Sequence, residues 1–327
     1  MYDGGRRGLL KAGLSILVSA SLGRHAAAAS SVQGIDPRFG RIVAPDAALR
    51  TLYNGGRWCE GLCWSPSRGG LVFSDTRSNR LSLLRDDGSV TTLRDPSDNA
   101  NGNVLDAGGR LVTCEHRTRR VTREEPDGRL TVLADRFEGK RLNSPNDAAL
   151  APDGAIWFTD PVFGIRQPDE GLMAEPEQDA RRVYRIDPSG RVDAMIATLD
   201  QPNGLAFSPD GRTLYVADSG AALNPEGAAE ILAFPVAGGG QVGTGRRFAA
   251  VTSGVPDGLC VDAEGRVYAA CEDGVHIHEA DGTRLGRIAT PGPAANVAFG
   301  GPEGRRLFIA AGPAIHAIDL RTRGLGF

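Results

Sequence analysis

The sequence predicts an all-β fold, a single six-bladed β-propeller, on three observations. A hairpin signature recurs six times, and its copies are spaced like propeller blades. The 327-residue chain also carries 44 glycines and 20 prolines, which suits tight turns, and shows no convincing amphipathic helix. The clearest copy is Asn203-Gly204-Leu205-Ala206-Phe207-Ser208-Pro209, followed by Asp210-Gly211 and the β-rich run Thr213 to Asp218. A polar residue opens an apolar run, a Pro-Asp-Gly turn reverses the chain, and a second strand follows.

Taken in order, Glu60 opens EGLCWSPSRGG ahead of LVFSD, and Asn101 opens NGNVLDAGG ahead of LVTCE. Asn146 opens NDAALAPDG ahead of IWFTD, Asp257 opens DGLCVDAEG ahead of VYAAC, and Asn296 opens NVAFGGPEG ahead of LFIAA. Successive openings lie 41, 45, 57, 54 and 39 residues apart, the longer intervals holding insertions. In five copies the opening residue stands eight before its turn glycine (Gly109, Gly154, Gly211, Gly265, Gly304), and the Glu60 turn is two residues longer. Equivalent hairpins place Glu60, Asn101, Asn146, Asn203, Asp257 and Asn296 at one strand end around the axis. Six carboxylate or carboxamide groups facing one channel point to a site.

The first 29 residues stand apart. Arg6 and Arg7 precede a short apolar run, Ala12 to Leu22, and then Ala26 to Ala29. A charged start, a short apolar stretch and small residues make a secretory signal, and the paired arginines resemble a twin-arginine leader. The expectation is export by that machinery to a periplasmic or secreted location, with residues 30–327 forming one catalytic propeller. The run falls short of the roughly 20 residues that span a bilayer, so no stable membrane span is expected. Removing the leader takes away Arg6, Arg7, Lys11 and Arg24 against Asp3, moving the net charge from −3 to about −6. That argues against a nucleic-acid partner.

Residues 30–55 lead into the first blade and can supply the strand that closes the ring, with the choice between the two termini left open by the sequence. Of five cysteines, Cys63 and Cys260 stand inside apolar runs and read as buried packing, and no spacing resembles a zinc site. His116 follows the second strand of its hairpin, where chain emerges at the mouth, and is a candidate for substrate contact. Arg141 and Asn143 sit just ahead of Asn146 and can offer a cation and an amide to a polyhydroxylated ligand. The polar insertion that follows Asp160-Pro161-Val162-Phe163-Gly164 and runs to about Arg181 reads as a lid or wall. The insertion from Ala221 to Ala229 reads as a spacer.

Glu, Asp and Asn oxygens without histidine or thiol suit a hard divalent cation. Calcium fits foremost, with magnesium, manganese or zinc as alternatives. Glu60 and Asp257 balance the charge of one such ion, and Asn146 and Asn203 add neutral oxygens. Open coordination positions then suit a catalytic ion, whereas an axial structural calcium or six independent hairpin caps remain the architectural readings.

The motif set EGLCWSP at 60, CEH at 114, GKRLNSPNDAALAPDG at 139, WFTDP at 157, PNGLAFSPDG at 202, PDGLCVDAEG at 256 and NVAFGGPEG at 296 resembles the gluconolactonase and regucalcin (senescence marker protein) family. The resemblance spans nearly the whole mature chain and implies a six-bladed, metal-dependent lactonase. It implies Glu60, Asn146, Asn203 and Asp257 as metal ligands, Asp257 also as general base, and Arg141 and Asn143 as substrate contacts. Asn101, in the variant Asn-Gly-Asn, is expected to contact substrate rather than metal. The implied reaction opens a small sugar-type lactone with water. The rival classes are a non-catalytic ligand-binding propeller with structural calcium and a paraoxonase-like esterase.

Overall fold

A computed structural model describes Met1 and residues 31–326. The expected export leader falls, apart from Met1, outside the described residues. Ser31 onward forms one unit of antiparallel sheets. Among the described residues the one α-helix is the single turn Phe163–Arg166, and no helix is long and apolar enough to cross a membrane.

The six hairpins foreseen from the repeats each become the inner half of a blade. Blade one runs Cys59–Ser65, Gly70–Asp75, Arg80–Leu84 and Val90–Arg94, and blade two starts with Ala100–Leu105 and Leu111–Glu115. Blade three starts with Ala148–Leu150 and Ile156–Asp160, and blade four with Pro202–Phe207 and Thr213–Asp218. Blade five starts with Leu259–Val261 and Val267–Cys271, and blade six with Ala294–Gly300 and Arg306–Ala311. Each first strand touches the first strand of the next blade, and the sixth touches the first. The ring is closed.

Closure comes from the N-terminal side. Arg50–Asn54 pairs antiparallel with Ala314–Asp319 as the outermost strand of blade six, in register Arg50↔Ala317 and Asn54↔Ala314. Val32–Gly34 adds a fifth strand to blade five. Asp36 caps the 3₁₀ turn Pro37–Arg41 through the Arg38 amide, which lets Phe39, Ile42 and Val43 pack against blades five and six.

The core lies between blades. Alternating residues on each strand face the neighbouring sheet, so the large side chains meet across blade boundaries. Trp157 meets Phe207 edge-on at 5.6 Å between blades three and four, Tyr268 meets Phe299 at 5.1 Å between five and six, and Trp64 stacks on Phe308 at 5.8 Å between one and six. All five cysteines are free. Cys63 and Cys260, expected as buried packing, each pack against a core cluster but are only half-buried, and both also line a cavity of about 630 Å³ at the end of the channel away from the polar ring.

Candidate active site

Four of the six inner strands carry an irregularity at the ring position. Pairing slips between Glu60 and Cys63, between Ala100 and Asn103, between Pro202 and Leu205, and between Ala294 and Asn296. A β-bulge re-aims the side chain it carries; here Asn101 and Asn203 fall within the slipped stretch, whereas Glu60 and Asn296 stand at its border, paired with Ser74 and Ala310. The glycine that follows explains the Glu-Gly, Asn-Gly and Asp-Gly dipeptides. A Cβ on Gly102 would stand 2.6 Å from the Asn146 carbonyl oxygen, and one on Gly204 would stand 2.3 Å from the Asp257 carbonyl oxygen. Glycine lets neighbouring inner strands touch, so Gly102 N–H donates to the Asn146 carbonyl at 2.7 Å and Gly204 N–H to that of Asp257 at 3.2 Å.

The result is a cavity of about 270 Å³ whose wall includes Glu60, Asn101, Asn146, Asn203 and Asp257. The polar insertion supplies Gln167 and Glu170, as expected of a wall, and Phe163 just ahead of it joins them. The insertion read as a spacer contributes Ala222 as well, so it too borders the cavity. Trp58, Arg77 and Glu272 complete the polar lining and were not singled out in the sequence. Arg77 binds Glu170 through Nη2 at 2.9 Å while its guanidinium lies 4.4 Å from the centre of the Trp58 ring, tying the insertion to blade one.

The remaining candidates lie elsewhere. Asn296 lines the opposite cavity, and its Oδ1 accepts the Leu62 N–H at 3.1 Å. Asn143 is buried, donating from Nδ2 to the carbonyls of Asp160 and Ala180. Arg141 donates from Nη2 to the Thr118 carbonyl and from its backbone to Glu177. Neither borders the cavity. His116 is fully buried behind the wall, with Gly164 of the insertion packed on its ring. Its Nδ1 stands 3.2 Å from the Glu170 carbonyl, an acceptor, which assigns the proton to Nδ1 and leaves the Nε2 lone pair facing Asn146 Nδ2 at 3.5 Å. Burial holds its pKa below the usual imidazole range, in keeping with the neutral ring. His116 thus orients the Asn146 amide with its nitrogen toward the imidazole.

The electrostatics are those of a site short of positive charge. Burial raises the Glu60 pKa well above the usual carboxylate range, and Asp257, Glu170 and Asp147 raise it further, against one lowering hydrogen bond from Trp58 Nε1 at 3.2 Å. Asp257 is raised by burial, Glu170 and Asp147, against a hydrogen bond from Asn203. Burial alone pushes Asp147, one residue past Asn146, up to about 7. Among the described lining residues Arg77 is the single cation, and Glu170 already holds it. Among the described residues no three His, Cys, Asp or Glu side chains form a metal-binding group. The oxygen set here is two carboxylates completed by carboxamides. Converging carboxylates that resist ionisation, beside an amide whose nitrogen is turned away, fit a hard divalent cation.

A closed six-bladed ring with a polar, carboxylate-bearing mouth defines a propeller of the enzyme-site type. Residues 58–312 match the family described as "SMP-30/Gluconolactonase/LRE-like region", and the chain belongs to this family. It is 31% identical to a gluconolactonase of Zymomonas mobilis over 315 residues, covering 89% of this chain and 85% of that protein. The solved structure of a gluconolactonase from Xanthomonas campestris superposes with a TM-score of 0.83 at 43% identity, covering 88% of this chain and 94% of that one. A calcium-binding regucalcin from Agrobacterium tumefaciens shares the fold at a TM-score of 0.69 and 21% identity, covering 85% and 95%.

Proposed function

We propose that this member of a lactone-hydrolase family opens a small sugar-type lactone with water, using Glu60, Asn146, Asn203 and Asp257 to hold one divalent cation, calcium foremost. The carrying observation is the meeting of two pKa-raised carboxyls and two carboxamides in one cavity whose lining cation is already paired. The cavity, at about 270 Å³, lies just under the roughly 300–1,000 Å³ of pockets for drug-sized ligands and suits one monosaccharide-sized ring. Polar groups from Asn101, Gln167 and Glu272 face hydroxyls, and Phe163, Val255 and Pro293 face the ring carbons. The relatives named gluconolactonase support the same substrate class.

When bound, the cation supplies a Lewis acid for the lactone carbonyl. Asp257 accepts a proton from the attacking water, whose oxygen bonds to the carbonyl carbon. The carbon to ring-oxygen bond then breaks, and the proton held by Asp257 passes to the departing oxygen, leaving a hydroxy acid. Asn203, hydrogen-bonded to Asp257, orients that carboxyl, and the insertion from blade three shields the site from bulk water.

Export through the leader belongs to the same proposal: the charged, apolar and alanine-rich order of residues 1–29 supports it, and N-terminal sequencing of the exported protein tests it. The test of function is hydrolysis of glucono-δ-lactone followed by acid release, with the uncatalysed rate subtracted. Chelation abolishes turnover and one divalent cation restores it. Silence with every cation, on sugar lactones and apolar esters alike, overturns the reading in favour of a binding propeller.

A further inference from the structure

The last residue of the second strand in each hairpin stands 14 or 15 places after the ring residue: Asp75, Glu115, Asp160, Asp218, Cys271 and Ala311. Three of these are buried aspartates, and they fall in the blades that begin with Glu60, Asn146 and Asn203. Each reaches across to the backbone just ahead of its ring residue. Asp218 accepts the Asp200 N–H on Oδ2 and the Gln201 N–H on Oδ1, both at 2.8 Å. Asp75 accepts the Arg57 and Trp58 N–H groups at 3.1 and 3.0 Å. Asp160 accepts the Asn143 N–H at 2.8 Å. The clamped amides precede their ring residues by only two or three positions.

The other blades lack this contact. Glu115 turns to Arg94, Arg120, Thr118 and Thr122 instead. Cys271 and Ala311 carry no carboxylate. Asp257 N–H donates to the Ala270 carbonyl at 2.9 Å, as Asn146 N–H does to the Thr159 carbonyl at 2.8 Å, so this contact is common to clamped and unclamped blades.

We propose that Asp75, Asp160 and Asp218 are positioning residues that clamp the strand entries of Glu60, Asn146 and Asn203 and so preorganise the cation site. The inference rests on the cation reading above. The clamped amides of Arg57, Trp58, Asn143, Asp200 and Gln201 all lie ahead of the named first strands, and a buried carboxylate accepting backbone N–H groups is among the stronger fixtures a protein can supply. Metal sites lose about 10–100-fold in affinity when the groups that hold their ligands are removed.

The test is calcium titration by calorimetry on the mature protein. In Asp218→Asn one of the two clamped N–H groups must face an amide NH₂, so the clamp is half lost without a change of size. Expected is a folded protein whose calcium Kd rises about 10–100-fold, with Glu115→Gln, at the equivalent place in blade two, keeping the wild-type Kd. An unchanged Kd in folded Asp218→Asn overturns the proposal, and so does an equal rise in Glu115→Gln. If Asp218→Asn does not fold, Asp75→Asn is titrated in its place. Hydrogen exchange on the wild type needs no variant: calcium raises protection of the Trp58 and Gln201 amides, and unchanged protection refutes the clamp. Failure of the wild type to bind any divalent cation refutes the cation reading itself, a separate outcome.

Discussion

Replacing Gly204 by alanine tests whether the contact of neighbouring strands at the channel neck sets the site. Gly204 needs no left-handed backbone, so alanine is tolerated locally and only crowding counts. The new Cβ would stand 2.3 Å from the Asp257 carbonyl oxygen, 2.6 Å from Gly258 Cα and 2.7 Å from Leu259 N, all backbone atoms that cannot swing aside. Ordinary contact begins at 3.4 Å, so blades four and five must part by about 1.1 Å where Asn203 and Asp257 face the cavity. Overpacking of this kind costs about 1–3 kcal/mol of stability, leaving the closed ring folded. A 1 Å displacement of groups that must act together costs about 10²-fold in rate. The assay is lactone hydrolysis beside calcium titration and thermal melting, with Gly238→Ala, which has no atom within 4 Å of its new Cβ, as control. A folded Gly204→Ala with wild-type affinity and rate refutes the reasoning.

Asp257→Asn removes the proposed base and one of two site carboxylates. Turnover should fall at least 10²-fold while the melting transition stays cooperative; wild-type rates on a lactone remove Asp257 from that role. Trp157, 1% exposed and edge-on to Phe207, seals blades three and four. Trp157→Ala should cost about 3–5 kcal/mol in urea denaturation, and a loss below about 1 kcal/mol contradicts core packing between blades. His278 is buried with an unpartnered Nδ1, and burial, then His276 and Arg284, bring its pKa down to about 4. The unfolded chain therefore binds the extra proton first. The stability linked to His278 is complete above the unfolded value near 6.5 and is lost as pH falls toward 4, by at most about 3 kcal/mol. Asp160, pushed up to about 7 by burial, works with the opposite sign, so the readout is the difference between wild type and His278→Phe under chelation. A flat difference from pH 7.5 to 4 contradicts it.

The fold was legible because a propeller repeats its evidence. Any one hairpin, such as Asn203 to Asp218, is a weak signal, but recurrence at blade spacing ties the copies into a ring, which the inner-strand contacts bear out. The closing strand was legible only as one candidate stretch, residues 30–55, with the choice of terminus open. Arg50–Asn54 alternates no better than other surface strands, and its partner Ala314–Asp319 lies at the far end of the chain. Pairing at that separation leaves no local mark.

The site was legible only where the repeat carried it. Glu60, Asn101, Asn146, Asn203 and Asp257 share a cavity because they share a register, yet Asn296, in the same register, spends its amide on the Leu62 N–H. Equivalent position gives equivalent backbone, not equivalent partners. The wall residues missed in the sequence obey a simple rule: they flank the hairpin at its ring end. Trp58 stands just before a first strand, while Arg77, Glu272 and Ala222 stand just after second strands. The same rule selected His116, one residue past Glu115, but there the insertion of blade three comes down on the ring, with a Gly164 Cβ position only 2.5 Å from His116 Cβ. A histidine that the mouth would otherwise expose becomes the support of Asn146, because a loop from the next blade covers it.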